Sequence, residues 1–226
     1  MTPVHIGIIP DGNRRFGEKY NLSLAKAYEL GINKLKDVLE WSRELGIKIV
    51  TVWSFSTENI NRSLKERVAF FSLIEKKAKE ALKNSGIVDE RVEIKIIGNL
   101  KILPSSLVRI LKKMEEKTKD NKPYRLNIAI GYGGRQEILD ACNKLIRSGI
   151  RKVDENIFRK FLYLNDTPDP DLIIRTSGEY RLSGFLPWHS AYSELVFLKP
   201  LWPELTKDDF VNAIREFEQR ERRFGR

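Results

Sequence analysis

Apolar positions recur along this chain with two periods. Ile6, Ile8 and Ile9 make a short continuous run that reads as a buried strand. Ile47 to Ser54, with its centre Ile49-Val50-Thr51-Val52-Trp53, reads as a second strand, Val92 to Ile97 as a third and Tyr124 to Ile130 as a fourth. Asp171 to Arg175 and Leu195 to Phe197 read as shorter fifth and sixth strands. Between these runs the spacing becomes helical. Ser23 is the N-cap of a helix to about Glu44, with Leu30, Leu35, Val38 and Leu39 among its apolar positions and Gly46 after its end. Ser63-Leu64-Lys65-Glu66 is a capping box opening a long helix to about Asn84, closed by Gly86. Further helices are expected from Pro104 to Lys119, from about Gln136 to Arg147, from Asp154 to about Tyr163, and from Thr206 into the C-terminal Arg220-Glu221-Arg222-Arg223-Phe224-Gly225-Arg226.

Strand and helix therefore alternate. The pattern predicts an α/β fold with a mostly parallel six-stranded sheet flanked by helices. No repeat, low-complexity tract or Pro/Gly/Ser-rich linker interrupts it, so residues 1–226 are expected to form one domain. In such sheets ligands bind beyond the carboxyl ends of the strands. Four polar loops fall at those ends: Asp11 to Arg15, Phe55 to Arg62, Gly131 to Arg135 and Thr176 to Gly184.

The first loop carries the densest chemistry. Pro10 stops the strand ladder because it has no N–H to donate. Asp11-Gly12-Asn13 lets the backbone bend and bare its amides, and Arg14 and Arg15 follow at once. A carboxylate for a hard cation, with amides and guanidiniums for phosphate oxygens, suits a metal-bound diphosphate. An ordinary hairpin turn is the alternative, but no second strand follows directly. Arginines also cluster at Arg175/Arg181 and Arg220/Arg222/Arg223, each beside glycine or a turn, where bidentate phosphate contact is favoured. Asp11 and Glu194 are the candidate metal ligands, and oxygen ligands with phosphate suit Mg2+. Taken alone, either acid is more commonly a surface or capping carboxylate. The helix after Ser63 carries Val68, Phe70, Phe71, Leu73 and Ile74, too many apolar positions for one narrow stripe. Either it is buried on two sides, or one side lines an apolar slot beside the phosphate loops, which would fit a prenyl diphosphate.

Composition narrows the classes. The formal net charge of +10 permits nucleic acid, anionic lipid or a polyanionic small molecule. No RNP-like aromatic pattern or basic helix supports nucleic acid, and the lysines between Ile74 and Lys83 read as a solvated helix face. The single cysteine, Cys142, excludes an internal disulfide framework, fits a reducing compartment and reads as a packed, inert thiol. No apolar run approaches the ~20 residues of a membrane span, and the chain enters a strand at once without a signal peptide. A cytoplasmic protein is expected, with at most peripheral membrane attachment through its product. A Ser-His-Asp hydrolase fits poorly, since no Gly-x-Ser-x-Gly elbow exists and neither His5 nor His189 lies in a loop with a matching acid. There is no P-loop and no zinc spacing. Gly131-Tyr132-Gly133-Gly134 lacks the third glycine of a dinucleotide fingerprint and reads as a tight strand-to-helix turn.

Four stretches together carry a resemblance: Asp11-Gly12-Asn13-Arg14-Arg15-Phe16, Ser54 to Arg62, Ile174 to Ser183, and Arg220 to Gly225. They resemble, in order and over nearly the whole chain, the cis-prenyltransferases, that is, the undecaprenyl and dehydrodolichyl diphosphate synthases. The resemblance implies condensation of isopentenyl diphosphate onto an allylic prenyl diphosphate with Mg2+, in a homodimer with one apolar tunnel per subunit. It implies a catalytic role for Asp11 in departure of the allylic diphosphate, which Gly12, Asn13, Arg14 and Arg15 would hold. Arg62, Arg175, Arg181 and Ser183 would bind isopentenyl diphosphate, joined by Arg223 and Gly225 of an Arg-x-Gly tail reaching the partner. Phe16, Ser56, Thr57, Glu58 and Leu182 belong to the same motifs and are included with the substrate-binding residues. Glu194 matches a metal-binding glutamate, and Asn59 an asparagine involved in proton removal. An amide is a poor base, so Asn59 is expected to position a diphosphate oxygen that takes the proton. Leu24, Tyr28, Ile60 and Tyr180 depart from the usual pattern of Arg, His, Trp and His; the Tyr28 hydroxyl can still donate to phosphate. These departures leave the primer open between farnesyl and geranylgeranyl diphosphate. Prenyl transfer to a different acceptor is the alternative function.

Overall fold

The computed structural model describes residues 1–83 and 91–220. Strand β1 (His5–Ile9) lies inside the sheet and is buried at every residue, which is why its apolar run is continuous rather than alternating. Its neighbours are β2 (Ile49–Ser56) and β5 (Leu172–Arg175). With β3 (Val92–Ile97), β4 (Tyr124–Tyr132) and β6 (Glu194–Phe197), the order is β3-β4-β2-β1-β5-β6. Every pairing is parallel, so the sheet is wholly rather than mostly parallel. The chain steps from β1 to one side and later from β5 to the other. The crevice between the carboxyl ends of β1 and β5 is therefore a topological switch point.

Among the described residues seven α-helices flank the strands: α1 (Asn13–Lys19), α2 (Leu24–Glu44), α3 (Leu64–Lys83), α4 (Ser105–Thr118), α5 (Gly134–Ser148), α6 (Glu155–Arg159) and, after the last strand, α7 (Lys207–Gln219). The expected N-caps form, although at Ser63 only the serine half of the expected box is present, since the Glu66 carboxylate meets Tyr28 and Arg62 instead. The Ser23 and Ser63 hydroxyls accept from the amides of Lys26 and Glu66, each at 3.3 Å. Thr206 and Asp209 form a reciprocal box at the start of α7. Helix α1 was not expected: it is short, contains Gly17 and has no side-chain cap. It starts directly after Gly12, whose φ of 104° glycine accepts without strain. Helix α6 stops at Arg159, short of Tyr163, because the Tyr163 amide donates instead to the Glu137 carboxylate at 2.8 Å. The expected Gly86 helix end lies outside the described residues.

Helices α2, α3, α4 and α7 cover one face of the sheet. There Ile6, Ile8, Val50, Val52 and Ile174 meet Val38 of α2 and Phe210, Ile214 and Phe217 of α7. Further along that face Phe70 and Phe71 of α3 and Leu107 and Leu111 of α4 close over Phe55, Ile96 and Ile130. Each such side chain contributes about 1.5–3 kcal/mol by leaving water. The other face packs Ile9, Ala129, Tyr132 and Ile173 against Leu164, Phe185 and Leu186, with α5 on this side.

Two cavities lie on the α2 side of the sheet, and only the smaller is lined by a residue of α3. One of about 80 Å³ touches Pro10, Tyr28, Leu35, Phe70 and Trp202. The other, about 380 Å³, lies at the amino ends of β2, β3 and β4 against Leu39, Ile47, Val50, Ile94 and Leu126. The expected apolar tunnel is not seen as one continuous cavity among the described residues. Phe70 lines the upper cavity. Phe71 lines neither and stacks into the core beside Phe55, with ring centroids 4.9 Å apart.

Candidate active site

A cavity of about 460 Å³ opens at the β1/β5 switch point. Ile9 pairs with Arg175 in the sheet register, so the chain brings Asp11 and Arg175 together as β1 and β5 end. Arg175 is 4% exposed. It donates to Asp11 Oδ2 at 2.7 Å, to the Ser183 hydroxyl at 2.9 Å and to the Arg181 carbonyl at 2.5 Å. Its Nε is buried with no hydrogen-bond partner among the described residues. Asp11 Oδ1 accepts from the Gly12 amide at 2.7 Å, and the Arg15 guanidinium lies 3.6 Å away. Burial opposes the Asp11 charge, but Arg175, the Gly12 amide and Arg15 outweigh it and hold the carboxyl below its usual range.

Around this pair the predicted residues converge. Gly12, Asn13, Arg14, Arg15, Ser56, Asn59, Arg62 and Ser183 all line the cavity. Asn13 donates to the Pro10 carbonyl at 3.0 Å, closing the turn, and packs so tightly on Gly31 that a Cβ there would meet its Oδ1 at 2.1 Å. Arg14 is exposed and has no ion pair among the described residues. Asn59 has its side-chain oxygen committed: Oδ1 accepts from the Ser56 amide at 3.1 Å while Ser56 Oγ accepts from Asn59 N at 3.2 Å. Its free polar group is thus the NH2, a donor, which agrees with a positioning role and not with a base.

Other predicted residues stand back. Phe16 stacks on Tyr20 at 4.7 Å. The Tyr28 hydroxyl donates to Glu66 at 2.8 Å and accepts from Arg62 at 2.8 Å, so it can meet a phosphate only by exchanging these partners. Burial first, then Glu66, pushes its pKa up. Thr57 packs against Gly133, where a Cβ would meet its hydroxyl at 2.2 Å. Glu58 and Arg181 are exposed, Arg181 pairing with Glu179 at 2.5 Å, and Leu182 packs on the second-face core. Among the departures, Leu24 packs on the α3–α4 cluster and Tyr180 is exposed beside Phe197 at 5.4 Å. Gly131 to Arg135 makes the expected turn, with β4 running on to Tyr132 and α5 starting at Gly134. Arg223 and Gly225 lie outside the described residues.

Glu194 is not brought to Asp11. It opens β6 level with Leu172, which is level with Ile6, so it sits at the amino edge of the sheet. Strand spacing puts it roughly 20 Å from Asp11. There it accepts from Arg220 at 2.8 Å. Two residues that sequence reasoning missed complete the mouth. Arg15 donates to Ser177 Oγ at 2.6 Å and pairs with Glu179 at 3.1 Å. Ser177 and Ser183 both have positive φ, 77° and 51°, and such strained positions cluster at functional sites. Their positive φ has no signature in the sequence, because both residues are serine, not glycine.

His189 also differs from expectation. It does have an acid, Asp169, from the preceding loop at 2.9 Å, but its other ring nitrogen faces Glu137 at 3.5 Å and not a hydroxyl. A hydrolytic triad is therefore absent at this histidine.

Comparison with known proteins agrees with this geometry. The sequence model of a family described as putative undecaprenyl diphosphate synthase matches residues 9–225. A tritrans,polycis-undecaprenyl-diphosphate synthase (geranylgeranyl-diphosphate specific) from Methanopyrus kandleri is 48% identical over 100% of this chain and 85% of its own length. A protein of the same name from Thermoplasma acidophilum is also 48% identical, over 99% of this chain and 89% of its own. The structure of lavandulyl diphosphate synthase from Lavandula x intermedia, in complex with dimethylallyl diphosphate, superposes with a TM-score of 0.93 at 30% identity, covering 100% of this chain and 99% of the other. A probable undecaprenyl diphosphate synthase from Campylobacter jejuni gives 0.83 at 32% identity, with 100% of both chains covered. With a family model matched over residues 9–225 and relatives 48% identical across the chain, the chain belongs to the undecaprenyl diphosphate synthase family of cis-prenyltransferases.

Proposed function

We propose that the protein elongates an allylic prenyl diphosphate by successive cis addition of isopentenyl diphosphate, yielding a polyprenyl diphosphate for lipid-carrier synthesis. One observation carries the reading: a half-exposed carboxylate, Asp11, is held by a buried arginine at the floor of an arginine-lined cavity that shares Pro10, Asn13 and Ser54 with the apolar cavity of the α2–α3 groove. The Gly12 backbone, Asn13 and the unpaired Arg14 take the allylic diphosphate, whose hydrocarbon enters the groove past Phe70. Arg62, Arg175, Arg181 and Ser183 take isopentenyl diphosphate. The allylic C–O bond breaks, the new C–C bond forms, and a diphosphate oxygen oriented by the Asn59 NH2 takes the proton.

Asp11 fits a hard divalent cation. Among the described residues no group of three His, Cys, Asp or Glu could hold a metal, so an ion at Asp11 would draw most of its ligands from phosphate and water, as Mg2+ does. When bound it neutralises charge on the departing diphosphate.

The protein acts as a homodimer in this reading. Leu139 and Ile146 of α5, with Ile150 and Val153 beyond it, are exposed apolar residues suited to a subunit contact. Arg220 is tied to Glu194 at the amino edge of the sheet. A role for Arg223 and Gly225 in substrate binding is one exercised on a partner's site, as the family resemblance implies. No helix among the described residues is long and apolar enough to cross a membrane.

The names of the archaeal relatives favour geranylgeranyl diphosphate as primer. The test is incubation with labelled isopentenyl diphosphate, Mg2+ and geranyl, farnesyl or geranylgeranyl diphosphate, followed by sizing of the products. The longest primer should give the highest kcat/KM. Absence of elongation from all three would overturn the function, and preference for farnesyl diphosphate would overturn the primer.

A further inference from the structure

Behind the active site, on the α5 face, lies a charged cluster that the reaction does not use. His189 is 1% exposed. Its Nδ1 meets Asp169 at 2.9 Å and its Nε2 faces Glu137 at 3.5 Å. Glu137 is itself 1% exposed and accepts from the Tyr132 hydroxyl at 2.6 Å and the Tyr163 amide at 2.8 Å. Asp169 also pairs with Arg159. The imidazole is thus held by carboxylates from α5 and the loop before β5, which β4 and α6 hold in turn through Tyr132 and Arg159.

That last segment runs from Arg181 to His189 and has two ends. At one end the Arg181 carbonyl and the Ser183 hydroxyl hold Arg175, which holds Asp11. At the other end His189 is pinned to α5 and to the loop before β5. Between them Phe185 and Leu186 are fully buried, the Gly134 amide donates to the Gly184 carbonyl at 3.0 Å, and Gly134 lies so close to Pro187 that a Cβ would meet its ring at 2.0 Å. A segment packed this tightly transmits displacement of one end to the other.

We propose that His189 is a positioning residue for the isopentenyl diphosphate subsite, acting as a pH-sensitive clamp on the segment that presents Ser183 and the Arg181 carbonyl to Arg175. This rests on the reading of that subsite given above. Protonated, the imidazolium bridges two carboxylates that otherwise face a neutral ring. Burial works against the charge, but Asp169 and Glu137 outweigh it and hold the His189 pKa above its usual value. The titratable or charged groups around it are Glu137 from α5, Asp169 and Arg159 from the α6–β5 region, and His5 from β1. His5 stays neutral at physiological pH because burial lowers its pKa to about 4. Since the folded pKa of His189 is raised, the clamp is fully present below the ordinary histidine pKa and is lost as pH rises through the higher folded value.

The experiment is the pH dependence of steady-state kinetics in wild type, His189→Gln and Asp169→Asn, with Tm measured alongside. In wild type, KM for isopentenyl diphosphate should rise about tenfold or more across the alkaline limb, the scale of a small misplacement of a binding group, while KM for the primer stays level. His189→Gln, which cannot titrate, should lose that limb. Asp169→Asn, with one carboxylate fewer, should shift it to lower pH, and it decides the matter if His189→Gln does not fold. A His189→Gln or Asp169→Asn profile identical to wild type would overturn the clamp. A wild type that elongates no primer would instead overturn the function itself.

Discussion

On the face of the sheet covered by α2, α3, α4 and α7, the inward side chains are nearly all aliphatic or aromatic. On the α5 face the same strands present His5, Thr51, Asn127 and Tyr132, buried and hydrogen-bonded. His5 Nε2 meets the Thr51 hydroxyl at 2.7 Å, and that oxygen also accepts from Asn127 at 2.9 Å. Apolar packing is non-directional and adapts to a guest, so the first face can hold cavities beside the diphosphate site. Polar networks are directional and costly when broken, so the second face fixes the geometry of the loops that carry Arg175, Arg181 and Ser183. One face suits a growing hydrocarbon of changing length. The other suits charges that must stay in place.

The sharpest way to separate the two faces from the edge between them is Asp11→Asn, which removes the carboxylate charge but leaves the buried Arg175 guanidinium a hydrogen-bond acceptor. Here kcat should fall by at least about 10²–10³-fold while Tm changes little; steady-state kinetics and thermal unfolding read both. Comparable loss of stability would mean that the edge is part of the fold's support. Glu137→Ala tests the polar face. It leaves the Tyr132 hydroxyl and the Tyr163 amide without their acceptor and should cost about 1–3 kcal/mol for each in urea unfolding, with product length unchanged in whatever protein remains folded.

Phe70→Ala and Phe71→Ala test the apolar face against itself. Both should cost about 3–5 kcal/mol, but only Phe70 lines the upper cavity, so only its removal should lengthen products on chromatography. Longer products from Phe71→Ala would place the hydrocarbon path elsewhere. The mildest change is deletion of residues 223–226. It should raise KM for isopentenyl diphosphate with Tm almost unaltered. The competing account, basic residues offsetting the dipole at an exposed helix end, is worth only about 0.3–1 kcal/mol and leaves the kinetics as they were.

Much of this was legible in the residues. Val92 to Ile97 forms β3 as read, and the Ser23, Ser63 and Thr206 caps start their helices because capping is a local hydrogen bond. Alternation of strand and helix dictated a parallel sheet, and parallel strands put their carboxyl-end loops on one edge. From that edge followed the convergence of Asp11, Arg62, Arg175 and Ser183, residues separated by up to 172 positions in the chain. Strand order, however, has no local signature. Only the placement of β1 between β2 and β5 made Asp11 and Arg175 hydrogen-bonded partners, and only the level of β6 set Glu194 at the far edge. The same holds for the commitments of single atoms. That Asn59 offers its NH2, that Tyr28 is occupied by Glu66 and Arg62, and that His189 sits between two carboxylates are contacts made by distant segments. Residue type fixes which hydrogen bonds a side chain can make; packing alone decides which of them it has already spent.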